Sequence, residues 1–186
     1  MTKADDLLKE AITGEFNAMQ RYTKFAEIAL AEKLPNVARV FKAFFEAEKI
    51  HFNNHTRALG NEGKGFTPKE EPFTPGTTLQ NLEASMIGEA KENEEMYPEF
   101  MKAIKKELKT DKGKLATLSM QWAREAEKTH LMLMQKIIEE VKLGKDFTTK
   151  KVFVCLVCGN VFTDMNIKAI CEICGHDATF YKEIEA

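Results

Sequence analysis

The chain has 186 residues, 44% of them apolar and 30% charged, with 27 basic against 29 acidic residues and a net charge of −2. That length suits one domain with a small appendage. The balanced charge argues against a basic surface for nucleic acid or an anionic membrane.

The first periodic segment predicts a helix over about 3–31. Its stripe, Leu8, Ala11, Ile12, Ala18, Met19, Tyr22, Phe25, Ala26 and Ala29, steps by three and four. No run of about 18 apolar residues occurs, so no membrane span is expected. The charged start, Met1 to Glu10, lacks the apolar stretch of a signal peptide. A cytoplasmic protein is therefore expected. A short turn at Glu32-Lys33-Leu34-Pro35 leads to a second helix over about 36–59, on Val37, Val40, Phe41, Phe44, Phe52 and Leu59, with Gly60 as its stop. Residues 61–77 hold Gly63, Gly65, Gly76, Pro68, Pro72 and Pro75. Extended, this link reaches up to roughly 56 Å, against roughly 36 Å for the preceding helix. It can therefore run the length of a bundle and start the next helix at the far end. The third helix is expected over about 78–108, through Leu79, Leu82, Met86, Met96, Phe100 and Ile104, kinked or unwound at Pro98. A turn at 110–113 precedes a fourth over about 115–141, through Met120, Ala123, Met134, Ile137 and Val141. Two short links and one long crossover define an all-α, ferritin-like four-helix bundle.

The bundle is expected over 1–143, a linker over 144–150, and a small β-rich unit over 151–186 with β-prone pieces at 152–154, 161–162 and 179–181. All four cysteines lie in this tail, as Cys155-x-x-Cys158-Gly159 and Cys171-x-x-Cys174-Gly175. In a chain without an export signal, two facing Cys-x-x-Cys pairs read as a tetrahedral zinc or iron site rather than as disulfides. So short a segment needs such a staple.

The informative feature of the bundle is charge on its inner stripe. Glu15 lies in line with Ala11, Met19 and Tyr22. Glu48 follows Phe44 by four, and His51 follows Glu48 by three. Glu89 and Glu92 continue the series of Leu82 and Ser85, and Glu127 and His130 that of Met120 and Ala123. Buried carboxylates without partners are very costly, so five of them share a core only if cations join them. One Glu on each of two helices, with Glu-x-x-His on each of the other two, is the di-iron or di-manganese carboxylate constellation. Two Fe²⁺ would bring four positive charges against the five carboxylates. Tyr22, two turns after Glu15, is placed to hydrogen-bond a ligand carboxylate. Tyr97, eight residues after Glu89, falls about 80° off-face on a straight helix, so its role depends on the break at Pro98. His55, one turn beyond His51, reads as a supporting or surface residue. His176, Glu46, Glu94, Glu95 and Glu125 read as solvated, and Trp122 and the methionines as packing.

At these residues the sequence resembles rubrerythrin, a family that joins a ferritin-like di-iron bundle to a rubredoxin-like domain. The resemblance covers nearly the whole chain. It is carried by Gly14-Glu15 and Arg21-Tyr22, by Gly88-Glu89-x-x-Glu92-x-x-Glu95-Met96-Tyr97-Pro98, by both Glu-x-x-His motifs and by the cysteine spacing. It implies that Glu48 and Glu127 bridge two irons, that Glu15 and Glu89 are terminal ligands, and that His130 binds one iron throughout. The other iron would move between His51 when reduced and Glu92 when oxidised. It also implies iron in the cysteine site, with zinc as a substitute, and a peroxidase that reduces hydrogen peroxide. Dioxygen is the other oxidant considered. Electrons would come from an external donor protein through the Fe(Cys)₄ centre. A homodimer is implied, in which electrons pass either within a chain or from each tail to the partner's di-iron site. Glu172 and Asp177 depart from the family's cysteine loops and add charge beside the sulfurs. The rival readings are a ferroxidase or iron-handling bundle with a structural zinc tail, and a metal or redox sensor.

Overall fold

A computed structural model describes residues 2–185. Thr2 caps the first helix, α1 (Lys3–Ala31): its hydroxyl accepts from the Asp5 amide at 3.2 Å while Asp5 accepts from the Thr2 amide at 2.7 Å. This reciprocal box satisfies two amides that a helix start leaves unpaired. Lys33, at φ 63°, turns the chain into α2 (Pro35–Leu59). Proline suits that first position, because its missing N–H has no helical partner there anyway.

The crossover from 60 to 77 starts with a short 3₁₀ turn and then runs extended along α1. The buried Asn17 pins it, donating to the Lys69 carbonyl at 3.0 Å and accepting from the Glu71 amide at 2.8 Å. The chain arrives at the opposite end, where Glu32 at the end of α1 accepts from the Thr78 amide at 3.1 Å. The single long crossover is therefore present.

The third rod is not one helix. It comprises α3 (Thr78–Lys91), a π-helical turn (Glu92–Met96), α4 (Tyr97–Ala103) and a 3₁₀ turn (Lys105–Lys109). The break expected at Pro98 lies just before it and takes the form of a π turn. Pro98 has no N–H, and in π geometry that bond would have gone to the Asn93 carbonyl. Arg124 Nε takes this acceptor at 2.9 Å, and Asn93 Nδ2 in turn donates to the Arg124 carbonyl at 2.6 Å. The expected turn at 110–113 is instead the start of α5 (Asp111–Lys142), whose N-cap Thr110 accepts from the Gly113 amide at 3.0 Å. Gly113 is needed there because a Cβ would strike the Glu107 carbonyl.

Beyond α5, Asp146 reaches back to the α2 N-terminus and accepts from the Asn36 and Val37 amides at 2.8 and 3.1 Å. Phe147 is buried beside it. The tail is a three-stranded antiparallel sheet in the order β2-β1-β3, from β1 (Val152–Cys155), β2 (Val161–Thr163) and β3 (Tyr181–Ile184). Val154 pairs with Val161 on one side and Lys182 on the other. The last β-prone piece falls later than the sequence suggests, since Ala178–Phe180 is a 3₁₀ turn. No helix among the described residues is long and apolar enough to cross a membrane.

The bundle's apolar core forms two clusters. One gathers Phe25, Phe41, Phe44, Leu82, Met134 and Ile137; the other gathers Leu8, Ile12, Leu59, Phe100, Ile104 and Met120. Glu15, Glu89 and Glu127 fall in the sequence gaps between the two clusters on their respective helices, and Glu48 lies at the inner end of the first cluster's run on α2, between Ala47 and Ile50.

Candidate metal centre

Donor atoms of Glu15, Glu48, His51 and Glu127 lie within 4.8 Å of one another, and so do those of Glu48, Glu89, Glu127 and His130. Glu48 and Glu127 belong to both sets. All six residues are buried. Glu92 belongs to neither set. It is half-buried and lines a small cavity of about 120 Å³ with Glu48, Glu89 and Tyr22. The sequence-derived residues thus converge in space, with Glu92 standing aside.

Hydrogen bonds aim these carboxylates. Tyr22 Oη donates to Glu89 Oε1, and Tyr97 Oη donates to Glu15 Oε1. The π turn explains how Tyr97 reaches the site. Eight residues from Glu89 at 100° each end about 80° off-face, but a π turn absorbs one extra residue and restores the inward phase. Burial and the nearby carboxylates raise the pKa of both phenols, keeping them protonated.

His55 is a residue the sequence reading underrated. It is fully buried, with Nδ1 3.0 Å from Ser119 Oγ and Nε2 3.0 Å from Tyr97 Oη. Because Tyr97 gives its proton to Glu15, His55 Nε2–H donates to Tyr97 Oη, and Ser119 Oγ lies against Nδ1. A signal existed, since His55 continues the Glu48-His51 face by one more turn. Ser119 gave none.

The cysteine loop sits directly on the two site histidines. Carbonyl groups only accept, so His51 Nε2–H donates to Cys158 O and His130 Nε2–H donates to Gly159 O, each at 3.1 Å. In the neutral rings this places the lone pair on Nδ1, which is aimed at carboxylate oxygens. His51 Nδ1 lies 2.8 Å from Glu48 Oε2 and 3.0 Å from Glu127 Oε1. His130 Nδ1 lies 3.2 Å from oxygens of both Glu89 and Glu127. A lone pair facing anions needs a cation between them. Glu15 Oε2 and Glu127 Oε1 are buried without a hydrogen bond. Neutral imidazoles, shared carboxylates and orphaned oxygens together fit a pair of divalent metal ions.

Without metal, protons take the cations' place. Burial opposes charge on His51, yet Glu127 and Glu15 hold its pKa up at about 9. Burial, with Glu127 and Glu15 beside it, pushes Glu48 well above the carboxylate range. Burial and Glu15 push Glu92 up to about 8 against the opposing charge of Arg21. Burial would raise Glu127 too, but His51 and His130 hold it down at about 2.

In the tail, Cys155, Cys158, Cys171 and Cys174 are free thiols whose sulfurs lie within 4.8 Å of one another. The Cys155–Cys174 and Cys158–Cys171 separations are 3.6 and 3.5 Å. A tetrahedron with metal–sulfur bonds near 2.3 Å has edges of roughly 3.8 Å, so the thiols are preset for one ion. Thr129 Oγ1 donates to Asn160 Oδ1 at 2.6 Å, Asn54 Nδ2 donates to Val157 O at 2.8 Å, and Trp122 packs on the cysteine cluster. Gly159, at φ 81°, lies so close that a Cβ would strike the His51 ring. Glu172 is exposed and pairs with Lys168, and Asp177 caps Ala178–Phe180. Neither approaches the sulfurs as a ligand.

A four-helix carboxylate and imidazole site joined to a four-thiolate site defines a di-iron redox protein of the oxidoreductase type. The rubrerythrin family profile matches residues 6–138. A rubrerythrin-2 of Clostridium acetobutylicum is 34% identical, over 91% of this chain and 90% of its own length. A putative rubrerythrin of Methanocaldococcus jannaschii is 31% identical, over 94% and 89%. A structure of nigerythrin in a mixed-valence state superposes with a TM-score of 0.87, covering 98% of this chain and 87% of its own at 24% identity. The chain belongs to the rubrerythrin family, with a C-terminal rubredoxin-like four-cysteine site.

Proposed function

We propose that this protein reduces hydrogen peroxide to water at the carboxylate site, drawing electrons through the cysteine site from an external donor protein. The balance is one peroxide, two electrons and two protons to two waters. The observation that carries this reading is the pair of hydrogen bonds from the two site histidines to the Cys158 and Gly159 carbonyls. They give a short bonded path from a cysteine sulfur to the imidazoles, which a purely structural tail does not need.

In this reading Glu15, His51 and shared Glu48 and Glu127 hold one iron, and Glu89, His130 and the same shared pair hold the other. Glu92 is the alternative ligand to His51. Residues 1–143 form the catalytic bundle, 144–150 the linker and 151–186 the relay unit. A pair of irons held there would supply two electrons together and act as a Lewis acid toward the peroxide. The chain's own groups do the rest. Tyr22 and Tyr97 fix the orientation of Glu89 and Glu15, and their phenols keep protons beside those carboxylates. His55 and Ser119 hold the Tyr97 hydroxyl in place. The cysteine loop shields the histidine edges from water and fixes their tautomers, leaving both Nδ1 atoms free to bind metal.

Reduced, iron-loaded protein mixed anaerobically with one equivalent of hydrogen peroxide should consume it and rapidly recover the ferric-thiolate band. His51→Ala or Glu92→Ala should slow that recovery by roughly tenfold or more. Persistent peroxide, or an oxidised bundle beside a silent cysteine site, would favour iron handling with a structural tail. Repeating the mixing with dioxygen ranks the two oxidants.

A further inference from the structure

The cysteine loop and the small cavity approach the metal centre from different sides. The loop contacts His51 and Asn54 of α2 and Thr129 and His130 of α5. The cavity lies mainly between α1 and α3: Ala18 and Tyr22 line one side, Ala84, Ser85 and Gly88 the other, and Glu48, Glu89 and Glu92 bring carboxylates to it. Arg21 lines this cavity and both neighbouring surface depressions, which puts it at the mouth. Size decides what can enter. The cavity is about 120 Å³, enough for several waters and smaller than the apolar cavity of about 150 Å³ known to hold one benzene ring.

We propose that the α1–α3 cavity is the oxidant's entry path and a size filter, with Gly88 as its specificity-determining residue. It admits hydrogen peroxide and excludes aryl hydroperoxides. Gly88 is a wall residue without a side chain, and a Cβ built on it meets no heavy atom within 4 Å. A larger side chain there therefore enters open space and narrows the path without displacing the helices. Ala18 on the facing wall, and Ala84 one turn before Gly88 on the same wall, are also short, so a side chain added at Gly88 would be the main obstruction. Separate entry keeps the oxidant away from the sulfurs, which it would otherwise attack. The inference rests on the peroxide-reducing reading only for the identity of the oxidant.

The test uses the iron-loaded full chain and two readouts. Azide titration of the oxidised protein, followed by visible absorption, reports access to the metal pair independently of turnover. Gly88→Val should weaken azide binding at least roughly tenfold and slow hydrogen peroxide consumption similarly, with Gly88→Ala intermediate. The ferric-thiolate spectrum and iron content should not change. Wild type should consume cumene hydroperoxide at least roughly a hundredfold more slowly than hydrogen peroxide. Unchanged azide binding in fully loaded Gly88→Val, or equal rates with the two hydroperoxides, would overturn the entry path. Normal azide binding by a wild type that ignores hydrogen peroxide would defeat the proposed function while leaving the path standing. Should Gly88→Val load iron poorly, Gly88→Ala carries the azide comparison.

Discussion

His51 and Glu127 face each other at 3.0 Å in the same dry layer, and their protonation is a stability statement. In metal-free protein His51 keeps its proton up to about pH 9, against 6.5 for an ordinary histidine. Its contribution is complete below pH 6.5 and is lost as pH rises through 9. Glu92, raised to about 8, acts with the same sign: between 4.5 and 8 the folded chain holds a proton that the unfolded chain has released, so stability falls across that window. Glu48 adds to this direction. Glu127, lowered to about 2, contributes above pH 4.5 and loses that contribution only as pH falls towards 2. The metal-free protein should therefore be most stable near pH 5 and lose roughly 5–10 °C of melting temperature by pH 9. Iron replaces these protons, so the loaded protein should show a much flatter profile. Thermal melts of chelator-treated and reloaded protein across that range check this. A flat metal-free profile would mean that the carboxylates are solvated rather than confined. The site's carboxylates and histidines could be read from sequence because each breaks an apolar stripe at helical phase. The tautomers could not, because backbone carbonyls 107 and 29 residues away in sequence set them.

At the scale of elements, the helical rods were legible because apolar residues such as Leu79, Leu82 and Met86, Met96, Phe100 and Ile104, and Met134, Ile137 and Val141 step by three and four. The π turn was not. Glu92 to Met96 suits an ordinary helix by composition, and only Pro98 hinted at trouble. What stabilises the turn is tertiary: Arg124, on another helix, pairs with the carbonyl that Pro98 cannot serve, and Asn93 returns the bond. Arg124→Ala should leave that half-buried carbonyl without its partner. The expected loss is about 1–2 kcal/mol by denaturant unfolding, with faster amide exchange confined to 92–97. Because Tyr97 depends on the extra residue for its inward phase, the same variant should weaken the Tyr97–Glu15 contact and shift the absorption of the iron-loaded bundle. Lysine at 124 should not rescue it, since a flexible ammonium lacks the planar Nε–H that meets the Asn93 carbonyl. An unaltered exchange pattern in Arg124→Ala would show that the π turn is held by its own backbone.

For the molecule as a whole, the question is whose bundle each cysteine loop serves. The family resemblance leaves both its own and the partner's open, and the loop here lies on its own chain, with the connection anchored along its length. Asp146 caps α2, Phe147 is buried, Arg39 donates to the Lys150 carbonyl at 2.7 Å, and Lys182 pairs with Glu46 at 3.2 Å. These contacts follow α2 from its start towards His51, so the segment after α5 returns the tail to the centre of the bundle it has just left. An exchanged arrangement would need this path to be released or repeated against a second copy. A mixing experiment separates the two. One variant, Cys158→Ser, disables the relay; another, Glu127→Ala, disables the metal pair. After unfolding and refolding together with iron, relay within each chain leaves every molecule lacking one centre, and no ferric-thiolate recovery should follow peroxide. Relay between copies would restore recovery in mixed dimers, because the intact loop of one chain would meet the intact bundle of the other. Each variant refolded alone sets the background. A signal above that background, rising with the fraction of mixed dimers, would assign the His51 and His130 contacts to exchanged tails and make a second copy part of the working site.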